Sequence, residues 1–367
     1  MRKVATMICV LMMATVLGCG GGEAEKASQF VSADFGAAVI VHPSKALSST
    51  MVKPFTDNPE YKKAVGVGKA MGFDFTKLET ATILLPADEQ EAKGDNFGVV
   101  LRMSEAFDIK KVLENAKKST IKVDGKDVKL EELDLVKFGK HSTVKVADVE
   151  CLKFEDEKAP LACQIDDKTL LLGKEAAMKS MLAAKGGGSG PLCELIKAAP
   201  NQGDVLIAAV TAPYKKTIEE QKKGLAMSPL ASFGGFVNDI DNVIIMLDLS
   251  GSEMVNAKIA LKDDAKAKSI VENVQKSVKL LGDSVKDAPA GDPNVKMIKQ
   301  LADGIKVNAD GKVVAISIPR LDGIEETVKT IPMMMMPKPT GMPPAGMPPA
   351  GMPSGMPAGM PPMQPGI

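Results

Sequence analysis

The sequence predicts an α+β protein built from two tandem, related βαββαβ-like units with antiparallel sheets and helices packed on one face, followed by a disordered C-terminal tail. Three observations predict it. Short aliphatic runs bounded by Gly, Asp and Pro turns mark strands, while runs with apolar residues three and four apart mark helices. The order of these elements recurs along the middle of the chain. From Met333 onward the composition shifts abruptly to Met, Pro and Gly.

The recurrence is visible residue by residue. Asp34–Pro43 matches Asp204–Pro213, each running from Asp to Pro, and Leu78–Leu85 resembles Ile240–Leu247. Lys110-Lys111-Val112-Leu113-Glu114-Asn115-Ala116-Lys117-Lys118-Ser119 matches Lys268-Ser269-Ile270-Val271-Glu272-Asn273-Val274-Gln275-Lys276-Ser277, and Lys168–Gly173 resembles Lys312–Ser317. The offsets, 170, 162, 158 and 144, fall steadily, as duplication followed by loop deletions would leave them. Two copies are too few for a solenoid, so they read as a pair of related domains.

Unit one spans 34–185. It carries strands near 35–42, 79–86, 97–103, 161–165 and 169–173, and helices over much of 44–71, after a Ser104 cap, and from 174 to 184. Val123-Asp124-Gly125-Lys126 marks a hairpin inside an insertion of extra sheet. Residues 186–191 form a Gly/Ser-rich linker. Unit two spans 192–331, with strands 205–211, 240–249, 253–261, 304–308 and 312–318, and helices after Pro213, over 264–281 and over 321–330. The order βαββαβ resembles that of split-βαβ, ferredoxin-like units.

The two ends of the chain serve other purposes. Arg2 and Lys3 precede an uncharged apolar run from Val4 to Leu17, too short to span a bilayer and suited to a secretory signal over 1–18. It ends in Val16-Leu17-Gly18-Cys19, followed by three glycines. This segment resembles the lipobox of bacterial lipoproteins, which implies diacylation of Cys19, cleavage before it, and a membrane anchor in the cell envelope, on the outer membrane or a periplasm-facing one. Ordinary signal cleavage with Cys19 incidental is the competing reading. Residues 19–33 then form a flexible linker. The tail, 332–367, repeats Gly-Met-Pro around Met342, Met347, Met352, Met356 and Met360. Thioethers suit Cu(I), so these five methionines form a weak copper hypothesis against the plainer reading of a low-complexity spacer.

Chemistry is sparse between those ends. The 46 basic and 46 acidic residues balance, which excludes electrostatic nucleic-acid binding, and 4% aromatic residues leave few stacking platforms. Cys151 and Cys163 stand opposite each other about a turn at Glu157, where a disulfide and a reduced pair are both open, and Cys193 reads as a buried apolar residue. His42 ends the first strand and His141 sits beside Lys140 in a loop. With no Cys or His pair at ligand spacing there is no zinc site and no cofactor motif. Gly66-Val67-Gly68-Lys69 lacks the order of a phosphate loop and reads as glycines ending a helix. Glu131-Glu132 and Asp166-Asp167 fall at turns. The expected role is therefore non-enzymatic: a membrane-anchored, exported lipoprotein that binds a partner or serves envelope structure. Two alternatives remain, a carrier of an apolar, lipid-like ligand and a hydrolase with an unrecognised site.

Overall fold

The computed structural model describes residues 26, 28–88, 96–123, 126–129, 141–156, 158–199, 203–216, 237–289 and 291–325. The leader with Cys19, most of the 19–33 linker, the 332–367 tail with its Gly-Met-Pro methionines, Glu131-Glu132, the helix expected after Pro213 and the second half of the last helix lie outside them.

After a short N-terminal segment, β1 (Phe35–Val41) leads to three short helices, α1 (Pro43–Ser48), α2 (Lys53–Thr56) and α3 (Pro59–Met71). A single helix over 44–71 is blocked because Pro54 and Pro59 lack N–H donors and disfavour helical geometry in the residue before them. Next come β2 (Leu78–Pro86), β3 (Gly98–Met103), α4 (Ile109–Lys118), the isolated hairpin β4 (Thr120–Val123) and β5 (Lys126–Lys129), then β6 (His141–Val146), β7 (Val149–Phe154), β8 (Leu161–Gln164), β9 (Thr169–Gly173) and α5 (Glu175–Ala183). Asp108, rather than Ser104, caps α4, accepting from the Lys110 and Lys111 amides, and the Ser104 hydroxyl donates to Lys77 O at 3.1 Å. The second half continues with α6 (Pro191–Ala198), β10 (Val205–Val210), β11 (Ile240–Leu247), β12 (Glu253–Leu261), α7 (Asp264–Ser284), α8 (Pro293–Gly304), β13 (Lys306–Asp310) and β14 (Val313–Pro319).

The fold is mixed α+β around one large antiparallel sheet. Twelve strands join in the order β13-β14-β12-β11-β10-β1-β2-β3-β9-β8-β7-β6. Outward from the central β1/β10 pair the order is β1-β2-β3-β9-β8-β7-β6 on one side and β10-β11-β12-β14-β13 on the other, so in each half the third strand is followed by a hairpin entered through its later strand. This corrects the split-βαβ expectation. Such units need parallel neighbours joined by crossovers, whereas every pairing among the described residues is antiparallel. It also replaces two separate sheets with one continuous sheet, because β1 spends its free edge on β10.

Helices cover both faces, not one. Along β3, Val100 joins one core while Val99 and Leu101 join another, so both faces are apolar and both need cover. On the first face, Met178, Met181 and Leu182 of α5, Leu192, Cys193 and Ile196 of α6, and Phe30 and Val31 of the N-terminal segment form one core with strands of both halves. On the second face, α4 buries Val112 and Leu113 over β3, β9 and β7, and α7 buries Ala267, Ile270 and Val274 over β12 and β14.

The 186–191 linker is not a loose joint. The Ser189 amide donates to Val31 O at 2.8 Å, and Gly190, at φ +93°, lies so close to Ala33 that a Cβ there would come within 2.7 Å of the Ala33 Cα. Residues 28–33, expected as flexible linker, likewise belong to the folded body, with Val31 fully buried.

The seam between the halves is Ala38 against Ala208, paired in register and both at 0% exposure. On the first face they leave room for the N-terminal segment and α6 to descend onto the sheet. Replacing Ala208 with Leu forces extra volume beneath those elements, and a loss of about 1–3 kcal/mol in urea unfolding is expected. Leu at the neighbouring half-exposed Ala209 should change stability by less than about 0.5 kcal/mol.

Candidate binding face

Strand alternation that places Ala38, Ile40, Leu84, Leu206, Ala208, Ile244 and Met246 in the first core turns their neighbours to the other face. The register aligns those neighbours into three rows across five strands. They are Ala81–Val41–Val205–Leu247–Val255, Ile83–Val39–Ile207–Ile245–Ala257 and Leu85–Ala37–Ala209–Val243–Ile259. Every member is aliphatic. Of the fifteen, Ala81 alone is buried, Leu85 is 39% exposed and the others are partly buried. From strand and residue spacings the floor measures about 19 Å across the strands and about 13 Å along them.

Helices flank this floor on both sides. Ile83 touches the core under α4, and Ile259 touches the core under α7. The floor is therefore a shallow trough with an uncharged aliphatic base, able to take up apolar surface through the hydrophobic effect and dispersion.

Polar clasps close the two ends. At one end the Asp204 carboxylate accepts the Leu249 amide, and Asp204 O accepts the His42 amide at 2.8 Å. Leu249 O accepts the Ser49 hydroxyl at 2.7 Å and Arg320 Nη1 at 2.6 Å, while Arg320 Nη2 reaches Thr50 Oγ1 at 3.0 Å and Glu325 at 2.6 Å. Burial holds the Asp204 carboxyl above the usual range, and the hydrogen bond from Arg320 holds Glu325 below it. At the other end the Tyr214 hydroxyl donates to Pro86 O at 2.7 Å, and burial pushes its pKa up to about 12.

The residues singled out from sequence take structural posts. Cys151 and Cys163 lie opposite each other on β7 and β8, with Cα atoms 4.3 Å apart and sulfurs joined as a disulfide. Cys193 is a free, buried thiol on α6 near Ser28 O. His42 precedes α1 at its N-cap, and His141 opens β6 opposite Phe154 rather than lying in a loop. Asp166 and Asp167 shape the β8–β9 turn, taking the Lys168 and Phe107 amides. Gly72, at φ +82°, ends α3, while Gly68 packs within the helix against Phe75. No three His, Cys, Asp or Glu side chains cluster as metal ligands among the described residues, and none of the described helices is long and apolar enough to cross a membrane. A groove of about 240 Å³ between α7 and α8 mixes Gln275, Lys279 and Asp303 with Val278, Ile305 and Val307, and lacks the aliphatic character of the floor. The floor was missed in the sequence because unbroken strand aliphatics read equally as core.

No protein-family model matches the chain, and no curated protein matches it. Among solved structures, crystal forms I, III and IV of TP0453 superpose with TM-scores of 0.40, 0.41 and 0.42 at 8%, 7% and 7% identity. The matches cover 83%, 83% and 84% of this chain and 97%, 97% and 99% of the other.

The raised Asp204 carboxyl gives a pH signature of the first clasp. Because the folded state holds this proton more tightly than the unfolded chain, whose Asp titrates near about 3.9, Asp204 lowers stability as pH rises through that window. In urea unfolding at stepped pH, Asp204→Asn should therefore gain on the parent protein as pH is raised from about 3 toward neutrality.

Proposed function

We propose that this protein is a lipid-anchored protein of the bacterial cell envelope, exported by its 1–18 leader and held at Cys19, that binds an apolar ligand of acyl or aliphatic character on the sheet floor rather than carrying out catalysis. The floor carries the reading. Three in-register aliphatic rows are only partly buried between flanking helices, and contiguous apolar surface left incompletely covered on a folded protein marks a place where something binds. The anchor is supported by the leader and the Val16-Leu17-Gly18-Cys19 sequence. Nine residues from Cys19 to Ser28 reach at most about 30 Å, so a lipid on Cys19 would hold the floor near a bilayer, where acyl chains are abundant.

The two halves are further read as copies of one ancestral unit. The sequence offset of 170 maps Ala38 onto Ala208, and these residues also pair across β1 and β10. A duplication of this kind would relate the halves by a two-fold axis through that pair and keep corresponding helices on the same face.

A fluorescent fatty acid should bind the purified protein. Ile207→Glu, which puts a charge in the middle row, should weaken it at least about tenfold, whereas Lys258→Glu on the opposite face of β12 should leave it unchanged. Equal binding by the Ile207 variant would refute the floor as the site. Cells fed labelled palmitate should label the parent chain and lose the label in Cys19→Ala, and a label that persists would refute the anchor.

A further inference from the structure

We infer that β13 is a self-association edge, on which a second copy of this chain pairs antiparallel through its own β13. This goes beyond the ligand reading and does not depend on it. β13 ends the twelve-stranded sheet, and among the described residues no strand pairs with its outer edge. Its five residues include no proline, and its register with β14 runs without a shift. Prolines and bulges are devices that blunt an edge, so this one is straight and open to addition. Lys306, Asn308, Ala309 and Asp310 are all exposed.

Backbone direction fixes how a partner can join. The two-residue turn Gly311-Lys312 makes Asp310 and Val313 the closing hydrogen-bonded pair of the β13–β14 hairpin. Alternation then turns the amides and carbonyls of Lys306, Asn308 and Asp310 toward β14, and those of Val307 and Ala309 outward. On the other side of β14 the Leu261 amide donates to Lys312 O at 2.9 Å, one step beyond the Ala260–Val313 pair, which fits the same phase. Within the strand, a single antiparallel register engages both outward residues of each copy. It sets Val307 opposite the second copy's Ala309, and Ala309 opposite its Val307.

The side chains suit that register. Lys306 then lies opposite the second copy's Asp310, Asp310 opposite its Lys306, and Asn308 opposite its own counterpart on the two-fold axis. These are non-hydrogen-bonded positions, where facing side chains come closest. All three residues share one face with Ser317, Ala315 and Val313 of β14, so they form a ladder in which opposite charges meet twice around a pair of amides. Lys306 alone would repel a second copy, and Asp310 at the mirror position turns that repulsion into attraction. The ion pair of Lys306 with Glu253, at 3.6 Å with side chains 77% and 44% exposed, is too open to hold Lys306 from this role. The opposite sheet edge lacks the pattern: β6 carries His141 and Lys145 and no acid, so no register of a second β6 brings opposite charges together. Because the two-fold axis stands perpendicular to the sheet, both copies keep the segment through Phe30 and Val31 on the same side of the joined sheet.

The test is analytical ultracentrifugation of the full chain over a concentration series reaching about 1 mM. The parent should form a dimer and nothing larger. Asp310→Lys sets like charges opposite Lys306, Lys306→Asp sets like charges opposite Asp310, and each variant should weaken the dimer about tenfold. Mixed in equal amounts, the two variants should restore a dimer containing one of each, since every facing pair is then of opposite charge. Register is read separately: on mild oxidation Asn308→Cys should link chain to chain, whereas Ala309→Cys, which faces Val307, should not. A parent that stays monomeric throughout the series, a dimer indifferent to both charge reversals, growth into longer oligomers, or equal linking at 308 and 309 would each overturn the assignment.

Discussion

The β1–β10 pairing is the constraint on which the rest depends. Each half alone would end in an open strand edge, with a row of unpaired amides and carbonyls. Joining the two edges satisfies both, and it places Ala38 against Ala208 at the middle of a twelve-stranded sheet. Small side chains there let α6 and the segment through Phe30 and Val31 share one core that takes residues from both halves. The halves cannot be treated as independent domains, because neither encloses that core alone. The Ser189–Val31 hydrogen bond and the close Gly190–Ala33 contact then tie the 186–191 crossing to the N-terminal segment.

The same pairing creates the floor. Central strands of a sheet covered on both faces are aliphatic throughout, and Ala37–Val41 of β1, all of β10 and Val243–Leu247 of β11 follow that rule. Their first face is covered. On their second face α4 and α7 sit over the outer strands of each half, so the middle of the sheet lies between them. At about 25 cal/mol per Å² of apolar surface, leaving fourteen of those fifteen side chains part-exposed is a standing cost, and a ligand that covers them recovers it.

Much of this was legible in the sequence. Strand and helix positions fell within a few residues of their expected places, since Asp-to-Pro framing and apolar residues three and four apart are local signals. The facing of Cys151 and Cys163 followed from equal distances to one turn, whereas the choice between a disulfide and a reduced pair did not. Strand order did not follow, because adjacency of β1 and β10 is set by edge satisfaction across 170 residues and leaves no local trace. Helix α8 escaped notice even though Asp292-Pro293 carries its start, with Asp292 accepting the Asn294 amide at 2.8 Å, because Gly291 and Pro289 before it read as loop. The floor escaped for a different reason. Burial and half-exposure of a valine depend on what packs above it, which the strand itself does not encode.

The chemistry at the ends of the floor narrows what it can discriminate. The Asp204 carboxylate is committed to the Leu249 amide, the Arg320 guanidinium to Leu249 O, Thr50 and Glu325, and the Tyr214 hydroxyl to Pro86 O. Each commitment fixes a strand end or hairpin, so each would have to break before its group could hold a ligand. A buried group that gave up its partner would pay the desolvation cost of an unpaired donor or acceptor. The rows between the clasps carry no hydrogen-bonding side chain at all. A ligand held here, as proposed, would be recognised by length and shape against an aliphatic base, the kind of selectivity that separates chain lengths by about 1–3 kcal/mol per methylene at most and tolerates variety in whatever head group extends beyond the trough.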